Sequence, residues 1–332
     1  MPGNFLGYPF DEEIFLMQWQ AAQDPVRLAM LNSGAVQANA TIRQLISNGS
    51  NVYTIPFYDV LGGEPDNYDG QTDITTTEPT GSSQSGVVYG RAHGWKDRDF
   101  IHDFNSGADP MQQITSQVSR FWDKKRQGTM LGILNGVFST TDDTGGYLSK
   151  WQQHTYDIST EGEGKLGETT MGDALQQAVG DNSDIFSLAW MHSKVAQNLA
   201  NLQLLTFRKF TDPNGIERQL KIADYNGITV IVDDDCPMSD GNYTTYALGL
   251  GAVQYADAPV KTPVEIHREA KKQGGFEELI TRLRETYHPN GFSFALPAGC
   301  ISPTNAQLSA AANWKIAVDP KLIPMARIIS KG

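Results

Sequence analysis

Cysteine is nearly missing from this chain: Cys236 and Cys300 are the two in 332 residues. So few rule out a disulfide scaffold. Two free thiols in a reducing compartment are the default, and a single Cys236–Cys300 bridge is the open alternative. Long apolar runs are missing too. None approaches the roughly 20 residues that cross a bilayer as a helix, so no helical membrane span is expected. The opening "MPGNFLGYPFDEEIFLMQW" carries Asp11, Glu12 and Glu13 where a secretory leader would be basic, so no leader is expected. Positive charge is short: 26 Lys and Arg face 38 Asp and Glu, a formal net charge of −12. Phosphate affinity rests on Lys and Arg, which excludes a general nucleic-acid binder.

Catalytic signatures are absent as well. There is no G-x-S-x-G elbow, no glycine-rich loop ending in Lys-Ser or Lys-Thr, and no dinucleotide fingerprint after a strand. "GLGAVQ" at Gly249 lacks the third glycine and a following helix, and "EGEGKLGET" has the wrong spacing for a phosphate loop. Asp233, Asp234 and Asp235 read as a charged strand end before Pro237. Consecutive strand residues face opposite sides, so the three cannot all converge on a cation. His93, Asp97, His102 and Asp103 in "HGWKDRDFIHD" fit no compact metal spacing and read as polar or interface residues. His192 reads as a half-buried helix residue. No catalytic group, metal or cofactor is therefore expected, with a site assembled from distant residues as the alternative.

What is present is the pattern of a packed globular chain. It is 39% hydrophobic, 19% charged and 10% aromatic, which is ordinary for that class. At roughly 150 residues per domain its length suggests about two core-bearing units. Residues 11–47 carry apolar side chains at three- and four-residue steps and predict helical pieces interrupted at Pro25 and Gly34. "NVYTIPFYDV" (51–60) and "GVVYGRAHGW" (86–95) predict strands, with Pro56 marking an edge or bend. Between them only Leu61, Tyr68 and Ile74 are sizeable apolar residues. The unit reads as a long two-stranded excursion with a polar tip, marginal by itself in water.

"DPMQQITSQVSRFWDKKRQGTMLGILNGVF" (109–138) predicts a long helix opened by Asp109 and Pro110. Gly128, Gly132 and Gly136 in its second half suggest close backbone approach. Shorter helices are expected over "TMGDALQQAVGDN", capped by Thr170, and over "FSLAWMHSKVAQNLANLQL". Strands are expected at 228–232, 243–256, 278–296 and in the closing "IPMARIIS", and a short capped helix at 302–314. Helices and strands mix without regular βαβ alternation or internal repeat, which makes the fold class α+β rather than doubly wound α/β.

Charge is laid out unevenly. No Lys or Arg occurs between Arg43 and Arg91, and that stretch holds Asp59, Glu64, Asp66, Asp69, Asp73 and Glu78. Basic residues follow at Arg91, Lys96 and Arg98, then at Arg120, Lys124, Lys125 and Arg126 on the long helix. An acidic projecting loop and a basic helix are complementary, and complementarity mainly steers and registers association. These six acids and the four helix cations form the candidate inter-subunit contact. The competing reading makes the run from Lys124 to Arg126 a solvated helix face.

The order of elements resembles that of the major capsid proteins of tailed bacteriophages, a fold shared with encapsulin shells. The runs that carry the resemblance are "ITVIVDDDCP", "YTTYALGLGAVQYADAP", "VEIHREAKKQGGFEELITRLRETYHPNGFSF" and "SPTNAQLSAAANW", within residues 225–315. The resemblance implies an N-terminal arm (1–50) and an extended β-loop (51–95) lying across a neighbouring subunit. It implies a peripheral domain (96–164 and 241–299) with a spine helix at 110–138, and an axial domain (165–240). It leaves the 300–332 segment unplaced.

Such proteins form pentamers and hexamers that close into an icosahedral virion head, assembled in the host cytoplasm. The head encloses double-stranded DNA without sequence-specific binding, and no membrane or cofactor takes part. The 1–50 arm is short for a built-in scaffold, so the implied partners are further copies of the chain, a separate scaffolding protein and a portal, with room for a decoration protein. Some relatives weld subunits from a loop lysine. Residues 51–90 contain no Lys, so no crosslink from this loop is expected. An encapsulin-like compartment and a soluble enzyme with a site assembled across domains are the alternatives.

Overall fold

The computed structural model describes residues 3–5, 8–10, 12–21, 25–47, 49–58, 63–71, 73–78, 81–98, 110–160, 162–211 and 217–332. The long helix, Pro110–Phe138, has the bounds that its periodicity predicts. Asp109, its expected cap, lies outside the described residues. The helix's second half carries the main core, where Met130, Leu134, Val137 and Phe138 are buried with Trp151, Trp190, Tyr246 and Trp314. Of the three glycines expected to allow close approach, one does. A Cβ on Gly136 would stand 2.9 Å from the carbonyl oxygen of Leu308, whereas Gly132 would make an ordinary contact and Gly128 faces open space.

The larger sheet has eight strands. Its path runs Thr155–Asp157, Met325–Lys331, Asn242–Gly249, Phe186–Met191, Ile228–Val232, Glu217–Tyr225 and Thr206–Thr211, with Met238–Ser239 paired onto Asn242–Gly249. Both faces are covered. Leu188, Trp190, Tyr246 and Leu248 join the long-helix core. Ala189, Met191, Ala247 and Ile328 pack on the opposite side with Leu175, Val179, Val195 and Leu199 of the helices Thr170–Val179 and Ser193–Asn201.

This double burial explains a departure from the sequence reading. "FSLAWM" opens an expected helix but forms the strand Phe186–Met191, because a strand apolar on both faces has the periodicity of a buried helix segment. His192 is consequently not inside a helix; it is the N-cap, with Nδ1 accepting from the Lys194 amide at 3.0 Å. Thr170 is not the cap of its helix either. Its hydroxyl accepts from the Gly167 amide at 3.0 Å, and Thr169 holds the cap position without a side-chain bond.

The second sheet has five strands and is centred on Phe276–Pro289. Val264–Glu269 and Val253–Ala258 pair along one edge of that strand, and Tyr89–Arg98 pairs along the other. Val36–Ala38, inside the arm expected to be helical, runs parallel to Val253–Ala258 as a short strand between helices Pro25–Asn32 and Ala40–Ser47. The run 243–256, expected as one strand, is broken by a turn around Leu250 and Gly251. Its first half, Asn242–Gly249, lies in the larger sheet between Phe186–Met191 and Met325–Lys331. A boundary at 240/241 would thus cut that sheet. The unplaced C-terminal segment supplies the helix Asn305–Leu308 with its Thr304–Gln307 capping box, the strand Trp314–Ile316, and a strand of the larger sheet.

A hairpin stands apart from both sheets. Val52–Tyr58 pairs along its whole length with Gly81–Val87, not with the expected 86–95 run. Tyr89–Arg98 leaves the hairpin and joins the second sheet. The return strand is the polar "GSSQSGV", which carries no hydrophobic alternation. Its exposed residues, Gly81, Ser82 and Ser83, need only the backbone ladder, whereas Gln84 is buried, its Nε2 donating to Asn290 Oδ1 at 3.2 Å and its Oε1 accepting from the Gly291 amide at 2.9 Å. At the base Tyr53 lies over Gly86, where a Cβ would strike the ring, and the Tyr53 and Thr286 hydroxyls share a 2.9 Å hydrogen bond.

Candidate inter-subunit surfaces

The described residues of the hairpin tip, 63–71 and 73–78, are all exposed, and Asp59 lies outside the described residues. The tip nonetheless has internal structure. Asp66 Oδ2 accepts from the Thr75 amide at 2.5 Å and the Thr75 hydroxyl at 2.6 Å. These bonds hold the Asp66 carboxyl below the usual carboxylate range. Asp69 Oδ1 accepts from the Gln71 amide at 2.8 Å. Glu64, Asp73 and Glu78 face solvent without a partner among the described residues. Tyr68 and Ile74 are 93% and 73% exposed. Burying such a side chain is worth roughly 1.5–3 kcal/mol, a gain that the isolated chain leaves unused.

The four helix cations do not share one role. Arg120, Lys124 and Lys125 are exposed. Lys125 Nζ sits 5.6 Å from the Phe121 ring. Lys124 Nζ is 4.0 Å from Asp235 Oδ2, an exposed pair worth about 0–1 kcal/mol. Arg126 points inward instead. Its Nε donates to Glu285 Oε2 at 2.7 Å and its Nη1 to Asp123 Oδ1 at 3.2 Å, while Arg27 Nη1 reaches the same Asp123 oxygen at 3.4 Å. Burial works against the charge on Arg126, but Glu285, Tyr287 and Tyr255 around it together outweigh burial and hold the guanidinium above its ordinary range. Burial likewise pushes the Glu285 carboxyl up, with Arg126 opposing the shift. Arg126 therefore belongs to the fold. Sequence reasoning missed this because Glu285 comes from a distant strand.

The other polar clusters disperse. Asp233 Oδ1 accepts from the Asp235 amide, Asp234 faces His192 Nε2 at 3.8 Å, and Asp235 faces Lys124, so the three carboxylates diverge. Cys236 and Cys300 are unbonded thiols. Burial, with Asp233 nearby, pushes the Cys236 thiol far up. His93 stacks on Phe121 at 4.9 Å, and His102 and Asp103 lie outside the described residues. No group of potential metal ligands occurs among the described residues, and none of their helices is long and apolar enough to cross a membrane. A cleft of about 500 Å³ does open beside the Arg126 network. It is lined by Arg27, Arg43, Arg126, Arg282, Arg284 and Asp257, which no single run of sequence brings together.

Comparison with known proteins places this geometry in context. The family model described as "Gp13-like: Major capsid protein 13-like" matches residues 144–323. The major capsid protein of Bacillus phage SPP1 is 28% identical over 303 residues, covering 89% of this chain and 88% of that protein. Among solved structures, the capsid of Ralstonia phage GP4 superposes with a TM-score of 0.56 at 8% identity, covering 90% of this chain and 88% of the other. A structure from Mycobacterium phage Bobi gives 0.50 at 12% identity, covering 89% and 92%. At such identities the structural likeness speaks for the fold alone.

Proposed function

The chain belongs to the Gp13-like family of major capsid proteins, and from that premise we propose that its copies join head to tail through the acidic hairpin tip. It has the tailed-phage major capsid protein fold and is a structural protein of the virion shell, self-assembling into an icosahedral phage head. The observation that carries the contact proposal is the hairpin itself. It is fully paired along seven residues of each strand, yet its tip packs on nothing described in its own chain and leaves Tyr68 and Ile74 in water. A feature kept in that state suits a partner surface. A heterologous contact repeated around an axis closes into rings such as pentamers and hexamers.

In this reading residues 1–50 form the arm, and the smaller sheet with the long helix forms the peripheral domain. The larger sheet forms the axial domain, taking in Asn242–Gly249 and Met325–Lys331. Arg120, Lys124 and Lys125 remain candidate contact cations, and Arg126 serves the fold. The net charge of −12 suits a shell that encloses double-stranded DNA without adhering to it. A separate scaffolding protein, a portal and a decoration protein complete the set of proposed partners, and no catalytic step is assigned.

Size-exclusion chromatography and negative-stain microscopy of the purified protein provide the test. Capsomers or closed shells are expected. A monodisperse monomer at every salt concentration would overturn the assembly reading.

A further inference from the structure

The cleft of about 500 Å³ beside the Arg126 network draws its charge from four parts of the chain. Arg27 comes from helix Pro25–Asn32, Arg43 from helix Ala40–Ser47, Arg126 from the long helix, and Arg282 and Arg284 from the strand Phe276–Pro289. Asp257 is the single carboxylate among the described lining residues, and the Tyr255 hydroxyl engages it. This local excess of positive charge is the reverse of the whole chain, whose formal net charge is −12.

The five guanidinium groups are unequally committed. Arg126 is held by Glu285 and Asp123. Arg27 donates to Asp123 at 3.4 Å and to the Tyr255 hydroxyl at 3.3 Å, and Arg282 Nη2 donates to Glu265 at 2.8 Å. Arg284 meets only neutral oxygens among the described residues, Asn51 Oδ1 at 2.7 Å and the Pro259 carbonyl at 3.4 Å. Arg43 is exposed and has no carboxylate partner among them. Two cations that share one cleft are thus unanswered by carboxylates. Leu16 and Trp19 of helix Glu12–Ala21 add an apolar wall, and a partly apolar surround strengthens both the repulsion between like charges and the pull on an anion.

The chemistry of the lining selects the ligand. A single carboxylate answers one guanidinium. Linked phosphates present several charged oxygens close together, and the planar fork of arginine takes phosphate oxygens two at a time. The cleft volume lies in the range of small-molecule sites, roughly 300–1,000 Å³. The acidity of the remaining surface works against a long polyanion such as duplex DNA. We propose that this cleft binds a short polyphosphate, inorganic or carried by a nucleotide, between Arg43 and Arg284 and against Trp19. Trp19, Arg27 and Arg43 lie within residues 12–47, whereas Arg284 belongs to the second sheet, so the bound anion staples the N-terminal helices to that sheet. The site is complete within one subunit and goes beyond the shell reading without depending on it.

Calorimetric titration of the unassembled full chain with sodium tripolyphosphate, and separately with magnesium-free ATP, tests the site against sodium chloride of matched ionic strength. Saturable one-to-one binding is expected. Arg43→Gln and Arg284→Gln should each weaken it at least about tenfold, equivalent to about 1.4 kcal/mol, with circular dichroism unchanged. Arg43 is exposed, so its variant decides the matter if Arg284→Gln fails to fold. Lys124→Gln combined with Lys125→Gln removes two exposed charges outside the lining and should leave the affinity unchanged. Equal affinity for the two ligands assigns the site to the phosphate chain alone, and tighter ATP binding places the base on Trp19; both support the proposal. Hydrogen exchange in helices Pro25–Asn32 and Ala40–Ser47 should slow when tripolyphosphate is bound. The proposal is overturned by the absence of saturable binding, by equal weakening in the lysine double variant, by displacement of tripolyphosphate by a duplex oligonucleotide, or by unchanged exchange in both helices.

Discussion

Lys124 and Arg126 sit in one basic run, yet the Lys124 side chain is 72% exposed and that of Arg126 12%. Their energetics diverge accordingly. Arg126→Ala strips the buried Glu285 of its cation and should destabilise the free subunit by about 3–5 kcal/mol. Lys124→Ala should stay within about 0.5 kcal/mol. Urea denaturation of the unassembled subunit separates the two outcomes. Reversing Lys124, Lys125 and Arg126 together would therefore damage the fold itself, and Lys124→Glu with Lys125→Glu is the informative pair for assembly.

His288 gives a pH dependence. Its ring lies 5.9 Å from that of Tyr53, its Nε2 has no hydrogen-bond partner, and burial pushes its pKa down from 6.5 to about 4. The folded state then binds fewer protons than the unfolded one. The resulting stability is whole above the unfolded pKa of 6.5 and is lost as pH falls toward 4, on the order of 3 kcal/mol in all. Burial also lowers the pKa of His154, adding to the same sign. The urea midpoint should drop across that window, and His288→Leu should flatten the drop.

Among the elements, the long helix was legible because its apolar spacing persists to Phe138. What the spacing could not give was the role of each glycine. Gly128→Ala, in open space, should stabilise the subunit by about 0.5–1 kcal/mol through helix propensity. Gly136→Ala should lower the melting temperature, because its Cβ would press on Leu308 O and the Trp314 ring. Thermal melts of the two variants should move in opposite directions. The hairpin taught the converse. Its first strand is β-branched and aromatic and was readable, but its return strand Gly81–Val87 has neither property. The backbone ladder, the Tyr53–Gly86 contact and the bonds of Gln84 to Asn290 and Gly291 fix its register, and none of these shows in the strand's own composition.

For the whole molecule, the two sheets share one core around the long helix, so boundaries drawn along the chain cannot match bodies in space. Asn242–Gly249 and Val253–Ala258 follow each other closely but enter different sheets. Chemistry at this scale is more predictable than layout. Residues 51–90 contain no Lys, so no isopeptide bond can start from a lysine there. Mature particles boiled in detergent should show no covalent ladder that maps to the hairpin.

The sequence by itself determined the mixed α+β class, the long helix, the polar projecting loop with its one-sided acidity, and the likeness to phage shell proteins. The class, the helix and the loop follow from local composition and periodicity, which act over a few turns of chain, whereas the likeness is a resemblance carried by particular runs within residues 225–315. Tertiary structure alone decided which charges are free. Arg126 looked like its neighbours until Glu285 was placed against it, and Arg43 and Arg284 became members of one cleft only when helix Ala40–Ser47 and strand Phe276–Pro289 came together. Electrostatic roles depend on burial and on partners brought in from distant strands, and neither is written in the spacing of residues along the chain.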